Sequence, residues 1–302
     1  MKRRVDYCED IAIHGRTSLS VAVKVTVALN LQSPVGDICN ISQFAVHCCI
    51  RQVTDALYNR RMDYVKFSMS RESQDENSRG FARITVFPMI RGAIDCTHVA
   101  LQAPPHNGEV FRNRKGYHSL NIQLACDHRQ MILTVNARYP GSCHGAFILR
   151  ESSVPQLFQP LHEARGWLIG DKGYGLGTWL ETPLRNPTTP AMQRYNSSHI
   201  ATRTIIEQAI RVLMQRFHCL DHTGGLFQYS LDKVSIFTVV CCMLHNLAIM
   251  RGQPLLAGMD DPPQEEDDNE KEDEELQSRR RQPDTVAAAR TARNRLIAHR
   301  FQ

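Results

Sequence analysis

The sequence predicts an α/β protein in which an N-terminal helical region precedes a mixed β-sheet flanked by helices. Segments with strand-like patterns lie between residues 89 and 138, and a helical segment follows them. The wholly apolar run Trp-Leu-Ile-Gly at 167–170 then has the length and composition of a strand that is buried on both faces of a sheet. Strands and helices in this order are typical of layered α/β domains.

Local patterns predict the individual elements of this domain. Four strands are expected ahead of the apolar one, at residues 89–95, 99–102, 117–126 and 131–138. A turn at 127–130 would join the last two in an antiparallel meander. Helices are expected at about residues 144–157, 201–217 and 231–250. The helix at 201–217 has an apolar stripe made of Ile206, Ile210, Leu213 and Phe217.

The N-terminal region, residues 1–80, is predicted to be mainly helical. After a break at 33–36, a short helix, a turn and a second helix capped by Ser42 have the outline of a helix-turn-helix at residues 33–58. The second helix would enter a DNA major groove, with Gln43, Arg51 and Gln52 as candidate contacts. A helical hairpin that only packs against the core explains the same pattern equally well. The polar residues 70–80 predict a loop before the α/β domain.

The rest of the chain divides into the α/β domain at residues 81–258 and a tail at 259–302, and charge separates a basic body from this acidic tail. Residues 260–302 hold 12 acidic and 8 basic residues, whereas residues 1–259 hold 19 acidic and 28 basic ones. A basic body suits a protein that approaches a polyanion such as DNA. The acidic segment 260–275 lacks core-forming residues and is expected to be disordered, with a short surface helix at 285–301. The three arginines at 279–281 favour either nuclear import or simple solvation.

The composition also indicates an intracellular protein. The chain shows no run of about 20 uncharged apolar residues that would span a membrane, and its first residues lack a secretory signal. The ten cysteines include no C-x-x-C pair of the kind that binds zinc. They are expected to be reduced thiols, and Cys241 and Cys242, in an apolar run, to pack as small buried residues.

Three acidic residues are candidates for a metal-binding catalytic site. Asp95 follows one apolar strand and Asp171 another, and ligands in open α/β sheets bind at the carboxyl ends of the strands. Glu207 lies beside Ile206, at the border of the apolar stripe of its helix. Two divalent ions held by a few carboxylates can activate a water molecule and stabilise the leaving oxygen of a phosphodiester. A metal-dependent phosphatase or RNase would use the same carboxylates.

Two arginines flank the third acid on its helix. Arg203 and Arg211 lie four residues before and after Glu207, on the same helical face. They would guide phosphate into the site, or they would form surface salt bridges with Glu207. The sequence does not decide between these interpretations.

The order of several short strings resembles a known family. The strings, in chain order, are Gly-Ala-Ile-Asp-Cys-Thr-His (92–98), Asn-Arg-Lys-Gly-Tyr-His-Ser-Leu-Asn (113–121), Tyr-Pro-Gly-Ser-Cys-His (139–144), Gly-Asp-Lys-Gly-Tyr (170–174), Arg-Tyr-Asn-Ser-Ser-His (194–199), Ile-Glu-Gln-Ala-Ile-Arg (206–211), Gln-Arg-Phe-His-Cys-Leu (215–220) and Leu-His-Asn (244–246). Each string alone is weak, but their order and spacing are specific. The sequence resembles the harbinger transposase-derived nucleases and the related PIF/Harbinger transposases, from about residue 21 to residue 245.

This resemblance implies a DDE-type endonuclease with an RNase H-like fold. Position by position, the three acids of the family's triad fall on Asp95, Asp171 and Glu207, which would hold two ions of Mg²⁺ or Mn²⁺. The resemblance also implies DNA as the substrate, a nuclear location and a separate Myb/SANT-like protein partner.

The resemblance assigns two further features beside the triad. Asn113, Arg114 and Lys115 are similar to the family's basic loop and would hold the DNA backbone by charge. His98 would form a hydrogen bond within the site or fill an ordinary structural place.

The chain departs from the family's pattern in two places. Relatives commonly have His-Asp after Pro-Gly-Ser, whereas Gly145 follows His144 here, so an auxiliary acid at this position is missing. The N-terminal region is also short for a family transposase. These departures leave an alternative open, in which the protein is a catalytically inactive, transposase-derived nuclear protein that binds DNA or other proteins.

Overall fold

A computed structural model of the chain describes residues 43–158, 166–222, 225–227, 229–253 and 283–302. Residues 1–42 of the predicted helical region, including the first part of the predicted helix-turn-helix at 33–42, lie outside the described residues, so the helix-turn-helix stays a prediction. The acidic segment 260–275 and the three arginines at 279–281 also lie outside them.

The centre of the described structure is a five-stranded mixed sheet. Its strands are β1 (Ile90–Ala100), β2 (Ser119–Cys126), β3 (Ile132–Pro140), β4 (Trp167–Ile169) and β5 (Leu180–Glu181). The spatial order is β3-β2-β1-β4-β5, in which β2 is antiparallel to both β1 and β3, and β1, β4 and β5 are parallel. Every residue of β2 is buried, as expected for a strand inside a sheet covered on both faces. The predicted mixed sheet is therefore confirmed.

Strand β1 corrects the prediction of two strands at 89–95 and 99–102. The polar residues between these segments remain paired with β2 throughout, from Asp95 opposite Leu124 to His98 opposite Asn121. Sequence patterns suggested a break because polar residues interrupt the apolar pattern, but backbone pairing does not depend on the side chains. Asp95 consequently lies in the middle of a strand and not at its end.

Helices cover both faces of the sheet. They are α1 (Gln43–Asn59), α2 (Arg61–Tyr64), α3 (Arg71–Ile84), α4 (Gly145–Glu151), α5 (Val154–Phe158), α6 (Pro190–Arg216), α7 (Leu231–Met250) and α8 (Pro283–Arg300). The larger core lies on one face, where residues of α1, α6 and α7 pack against Ala93, Val99 and Ile122. A smaller core on the other face joins Ile94 and Leu168 to Leu149 of α4 and Phe158 of α5.

Helix α3 corrects the prediction of a loop at residues 70–80. Ser70 caps its first turn by accepting a hydrogen bond from the backbone N–H of Ser73. The helix attaches to the sheet through polar side chains, since Asn77 donates to the Arg91 carbonyl and Ser78 to the Ile90 carbonyl. The helix has one fully buried apolar side chain, Phe81, near its C-terminal end. Residues 70–80 therefore show no apolar stripe, which is why they resembled a loop.

Helix α6 begins at Pro190, eleven residues ahead of the predicted start at 201. Thr189 caps it by accepting from the Met192 N–H, and Pro190 occupies the first turn, where a missing N–H costs nothing. Its early turns bury Tyr195 and His199 rather than aliphatic residues. The early turns therefore lack the aliphatic spacing from which the helix was predicted.

Helices α7 and α8 complete the described core. Among the described helices, α7 is long and apolar enough to span a membrane by length and composition. Its buried residues, including Cys241 and Cys242, pack in the core with β3 and α1, as in the central helix of a folded domain. Helix α8 packs against α6, where Phe301 contacts Phe87 and Tyr195. The predicted surface helix at 285–301 is thus partly buried.

Candidate active site

The register of the parallel strands brings two of the predicted acids together. Ala93 of β1 pairs with Ile169 of β4. Asp95 and Asp171 each lie two residues beyond this pair, in the same chain direction. Asp171 has left its strand and begins a 3₁₀ turn, Lys172–Tyr174. The prediction of a strand-end acid is therefore correct for Asp171 and wrong for Asp95, although both face the same end of the β1–β4 pair.

Helix α6 brings the third acid to the same place. Ala93 and Val99 share a strand face with Asp95, and they pack in one core with Ile206, the neighbour of Glu207. Glu207 is partly buried, with 17% of its side chain exposed, and Asp171 is similar at 19%. The structure thus gathers all three predicted acids around one side of the sheet.

Arg203 joins two of these acids directly. One terminal nitrogen, Nη1, lies 2.6 Å from Oδ1 of Asp171, and the other, Nη2, lies 2.5 Å from Oε1 of Glu207. Burial lowers the pKa of the Arg203 guanidinium, but the charges of Glu207, Asp171 and Asp95 outweigh it, and the pKa is raised. The salt-bridge interpretation of Arg203 is therefore the one that the structure shows, with Asp171 as an additional partner.

The floor of the site is built from the residue next to Asp95 and from the turn that follows Asp171. Oδ1 of Asp95 accepts a hydrogen bond from the backbone N–H of Cys96 at 2.7 Å. The Cys96 thiol lies 3.2 Å from the hydroxyl of Tyr174, which is buried. Burial, with the nearby Cys96 and Asp95, raises the pKa of Tyr174, so the phenol stays protonated.

Gly145, at the position where the resemblance predicts an auxiliary acid, borders this floor. A Cβ atom at this position would lie 3.2 Å from the Cys96 sulfur and 3.3 Å from the Tyr174 ring. His144 caps α4 through its Nδ1 atom, which accepts from the Ala146 N–H. A side chain at 145 would therefore press on Cys96 and Tyr174, and these would have to shift by a few tenths of an ångström.

A buried polar cluster that sequence reasoning did not single out lies behind Arg203. The Tyr195 hydroxyl lies 2.7 Å from Oε2 of Glu181, to which it donates, and His199 Nε2 lies 3.2 Å from the Glu181 carbonyl. Burial raises the pKa of Glu181 to about 7, against the Tyr195 hydrogen bond and the charge of Arg293. Burial also lowers the pKa of His199 to about 4. The string at 194–199 contained Tyr195 and His199, but nothing in it pointed to Glu181.

The loop at 113–115 lies beyond Asp95 along β1. Asn113 is only 6% exposed, and its side chain donates to the Ser119 hydroxyl and accepts from the Tyr117 N–H, so it shapes the loop. Arg114 and Lys115 are exposed. His98 bonds to Ser119 through Nδ1, and burial together with the charge of Lys115 lowers the pKa of His98 to about 4. His98 thus has a structural place next to the loop.

The remaining candidate DNA contacts lie elsewhere. Arg51 is exposed on α1, which packs against α7 on the β3 side of the sheet, two strands from β1. Gln43 begins the same helix, and its side chain lies outside the described residues, whereas Gln52 is half-buried. Arg211 is half-buried on α6, one turn beyond Glu207. The structure does not bring Arg51 to the three acids.

The donor set suits a hard divalent cation. Among the described residues, no three His, Cys, Asp or Glu side chains already stand close enough to enclose a metal ion. Two carboxylate oxygens nevertheless converge on a single cationic group, and a third carboxylate acts on the same group. Mg²⁺ and Mn²⁺ take oxygen ligands, and Mg²⁺ keeps several waters, so a few carboxylates suffice.

The family follows from comparison with known proteins. Residues 94–246 match the family model described as DDE superfamily endonuclease, and the chain belongs to this family. The resemblance to the harbinger transposase-derived nucleases is confirmed.

The relatives cover most of the chain. It is similar to the Homo sapiens protein named "Putative nuclease HARBI1", with 36% identity over 256 residues that cover 83% of this chain and 73% of the relative. The Bos taurus protein of the same name is 37% identical over 241 residues, which cover 80% and 69%. "Protein ALP1-like" of Arabidopsis thaliana is 26% identical over 254 residues, which cover 76% and 61%. No solved structure gives a significant match.

Proposed function

We propose that the protein is a metal-dependent DNA endonuclease with Asp95, Asp171 and Glu207 as its active site. It would hydrolyse phosphodiester bonds of DNA or transfer the cut strand to a new bond. The observation that carries this proposal is that Asp171 and Glu207 both contact the guanidinium of Arg203, with Asp95 in register with Asp171 on the neighbouring strand. The strand order β3-β2-β1-β4-β5, with two antiparallel and two parallel strand pairs, supports an RNase H-like core.

The three acids would hold the divalent ions that members of the superfamily typically use. Two such ions, Mg²⁺ or Mn²⁺, would supply an activated water and stabilise the leaving oxygen. The role of the chain is to fix the carboxylates on rigid elements, because two lie on or next to paired strands and the third lies on a 27-residue helix. The pairing of β1 with β4 sets the separation of Asp95 and Asp171, and these carboxylates would hold the ions.

DNA would approach over the exposed basic loop. Arg114 and Lys115 are exposed beyond Asp95 along β1, where they would contact phosphates. Asn113 would act indirectly, since its hydrogen bonds shape the loop. A nuclear location and a Myb/SANT-like partner belong to the same proposal, and they rest on the family alone.

The test is metal-dependent cleavage of supercoiled plasmid DNA by the purified chain. We expect nicking with Mg²⁺ or Mn²⁺ that EDTA abolishes, and we expect Asp171→Asn to reduce the rate by at least a hundredfold because a metal ligand is lost. Asp55→Asn is the matched control, since it removes the same charge at an exposed position on α1. Cleavage that survives Asp171→Asn would remove the site assignment.

Gly145 supports a second candidate, a DNA- or protein-binding protein without turnover. The family's auxiliary acid is missing where a side chain would touch the floor of the site. Under this candidate the native chain binds DNA but does not cut it, and Gly145→Asp restores measurable nicking. Metal-dependent nicking by the native chain would contradict this candidate, and a folded Gly145→Asp variant that still does not nick would remove Gly145 as the cause of inactivity. Gly145→Ala controls for crowding without adding charge.

A further inference from the structure

Arg203 is the cation around which the candidate active site is assembled. Its two terminal nitrogens hold different acids, Asp171 at 2.6 Å and Glu207 at 2.5 Å. The charge of Asp95 acts on the same guanidinium. Three acids therefore share one positive charge, and the oxygens that face Arg203 are the oxygens that a metal ion would need.

A guanidinium and a divalent cation cannot both be the direct partner of the same oxygen atoms. Oδ1 of Asp171 and Oε1 of Glu207 each accept a short charge-assisted contact from Arg203. A metal ligand must offer a free lone pair at about 2.1 Å for Mg²⁺. Binding of the metal through these oxygens therefore requires that Arg203 withdraw from them.

The structure indicates which partner would move. Asp171 is fixed by the 3₁₀ turn, in which the Tyr174 N–H donates to the Asp171 carbonyl and the Tyr174 ring is buried. Glu207 lies on a helix turn that is anchored in the core by Ile206. Arg203 has a long side chain that is 30% exposed, so it can swing towards solvent while the acids stay in place.

We propose that Arg203 is an internal counter-ion, which neutralises Asp171 and Glu207 until a divalent cation displaces it. Its role is that of a positioning residue: it holds the two carboxylates at one point without enclosing a metal. This inference rests on the proposed metal-dependent function. It adds that Arg203 stabilises the metal-free protein and lowers its affinity for the metal.

The counter-ion role reverses the usual expectation for a residue in a metal site. Removal of a supporting residue normally weakens metal binding. Removal of a competing counter-ion strengthens it, because the acids lose their positive partner and their oxygens become available. The metal-free protein should lose stability at the same time, because the three carboxylates then face one another without the charge of Arg203.

The experiment is calorimetric titration of Mn²⁺ into the full chain and into Arg203→Gln, at pH 8 and without DNA. We expect Arg203→Gln to bind Mn²⁺ about tenfold more tightly, which corresponds to about 1.4 kcal/mol. Arg203→Lys keeps the charge but lacks the planar fork that reaches two acids, and it should lie between the two. Arg71→Gln is the matched control, because it makes the same change at an arginine of α3 whose side chain is 91% exposed. It should change the affinity less than twofold.

Thermal melting provides a second readout that does not depend on activity. Arg203→Gln should melt below the wild-type chain in EDTA, and Mn²⁺ should raise its melting temperature more than that of the wild type. Equal or weaker Mn²⁺ affinity in both Arg203→Gln and Arg203→Lys would overturn the counter-ion role. Should Arg203→Gln fail to fold in EDTA, recovery of its fold in Mn²⁺ supports the proposal, and a Mn²⁺ affinity of Arg203→Lys above that of wild type is then the decisive result.

The same titration separates this inference from the proposed function. The double variant Asp171→Asn with Arg203→Gln should lose the tight Mn²⁺ binding, because an acid of the site is gone. Tight binding that survives in the double variant would place the metal elsewhere and overturn both proposals. Equal affinity of wild type and Arg203→Gln, with binding lost on Asp171→Asn, would overturn the counter-ion role alone.

Discussion

Substitution of Glu181 by Gln should make the stability of the protein less dependent on pH. The Glu181 side chain is fully buried, and Oε2 accepts a hydrogen bond from Tyr195. Oε1 has no hydrogen-bond partner among the described residues. Burial disfavours the ionised carboxylate, and the pKa rises from the ordinary 4.5 to about 7. Gln has the shape of the protonated acid and cannot ionise.

The size of the effect follows from these two pKa values. A group with a raised pKa in the folded state contributes stability below its unfolded pKa, here 4.5, and loses it as the pH rises to about 7. A difference of one pH unit between the two pKa values corresponds to about 1.4 kcal/mol, so ionisation of Glu181 costs about 3 kcal/mol above pH 7. The Gln variant should therefore gain up to about 3 kcal/mol on wild type at pH 8, and little at pH 4.5.

The assay is urea unfolding of both proteins between pH 4.5 and pH 8.5. The difference in unfolding free energy between them is the quantity to follow, because the histidines titrate with the opposite sign. His98, His199 and His245 have pKa values lowered to about 4 by burial, so their stability contribution is lost as the pH falls from 6.5 towards 4. These contributions cancel between the two proteins.

Glu151→Gln is the control for this experiment, because it makes the same chemical change at an exposed position. It should give a difference from wild type that stays flat with pH. A difference for Glu181→Gln that is equally flat, or that grows towards low pH, would refute the assignment of a raised pKa to this buried acid.

Two further predictions concern the family string at 244–246 and the basic loop. Asn246→Ala removes hydrogen bonds to the backbone N–H and C=O of Ile132 and to a carbonyl of α2. It should lower the unfolding free energy by about 3 kcal/mol in urea titrations. Asn59→Ala, at an exposed position, should change the unfolding free energy by less than about 0.5 kcal/mol. A loss of unfolding free energy for Asn246→Ala as small as that of Asn59→Ala would contradict the role of these hydrogen bonds in holding α7 to β3. Neutralising Arg114 and Lys115 to Gln should weaken binding to duplex DNA and reduce the slope of log affinity against log salt by about two, measured by fluorescence anisotropy. An unchanged slope would place the DNA elsewhere.

The sheet was largely predictable because local pattern determines it. The apolar run at 167–170 and the turn at 127–130 gave strands and a meander that the structure contains. Helix α3 was missed because it docks through Asn77 and Ser78 rather than through an apolar stripe. The break predicted within β1 was wrong because polar side chains say little about whether a backbone continues to pair.

The acids of the site were predictable, and their arrangement was not. The sequence placed Asp171 after a strand and Glu207 on a helix, but the register that aligns Asp95 with Asp171 depends on the pairing of β1 with β4. Glu181 was missed because its significance comes from burial beside Tyr195 and His199, which are 14 and 18 residues away in the chain. Tertiary partners of this kind leave no periodic signal.

Sequence spacing predicts one of the two acidic contacts of Arg203 and not the other. The four-residue interval to Glu207 predicts an ion pair on one helical face, and the pair is present. The contact with Asp171 spans 32 residues, so no helical rule could anticipate it. That second contact changes the chemistry, because an arginine held by one exposed acid can leave at little cost, whereas one shared by two partly buried acids competes with any cation that they bind. Under the proposed function, the fold would therefore set the balance between Arg203 and a metal ion, through the approach of α6 to the turn after β4, and the three acids alone would not.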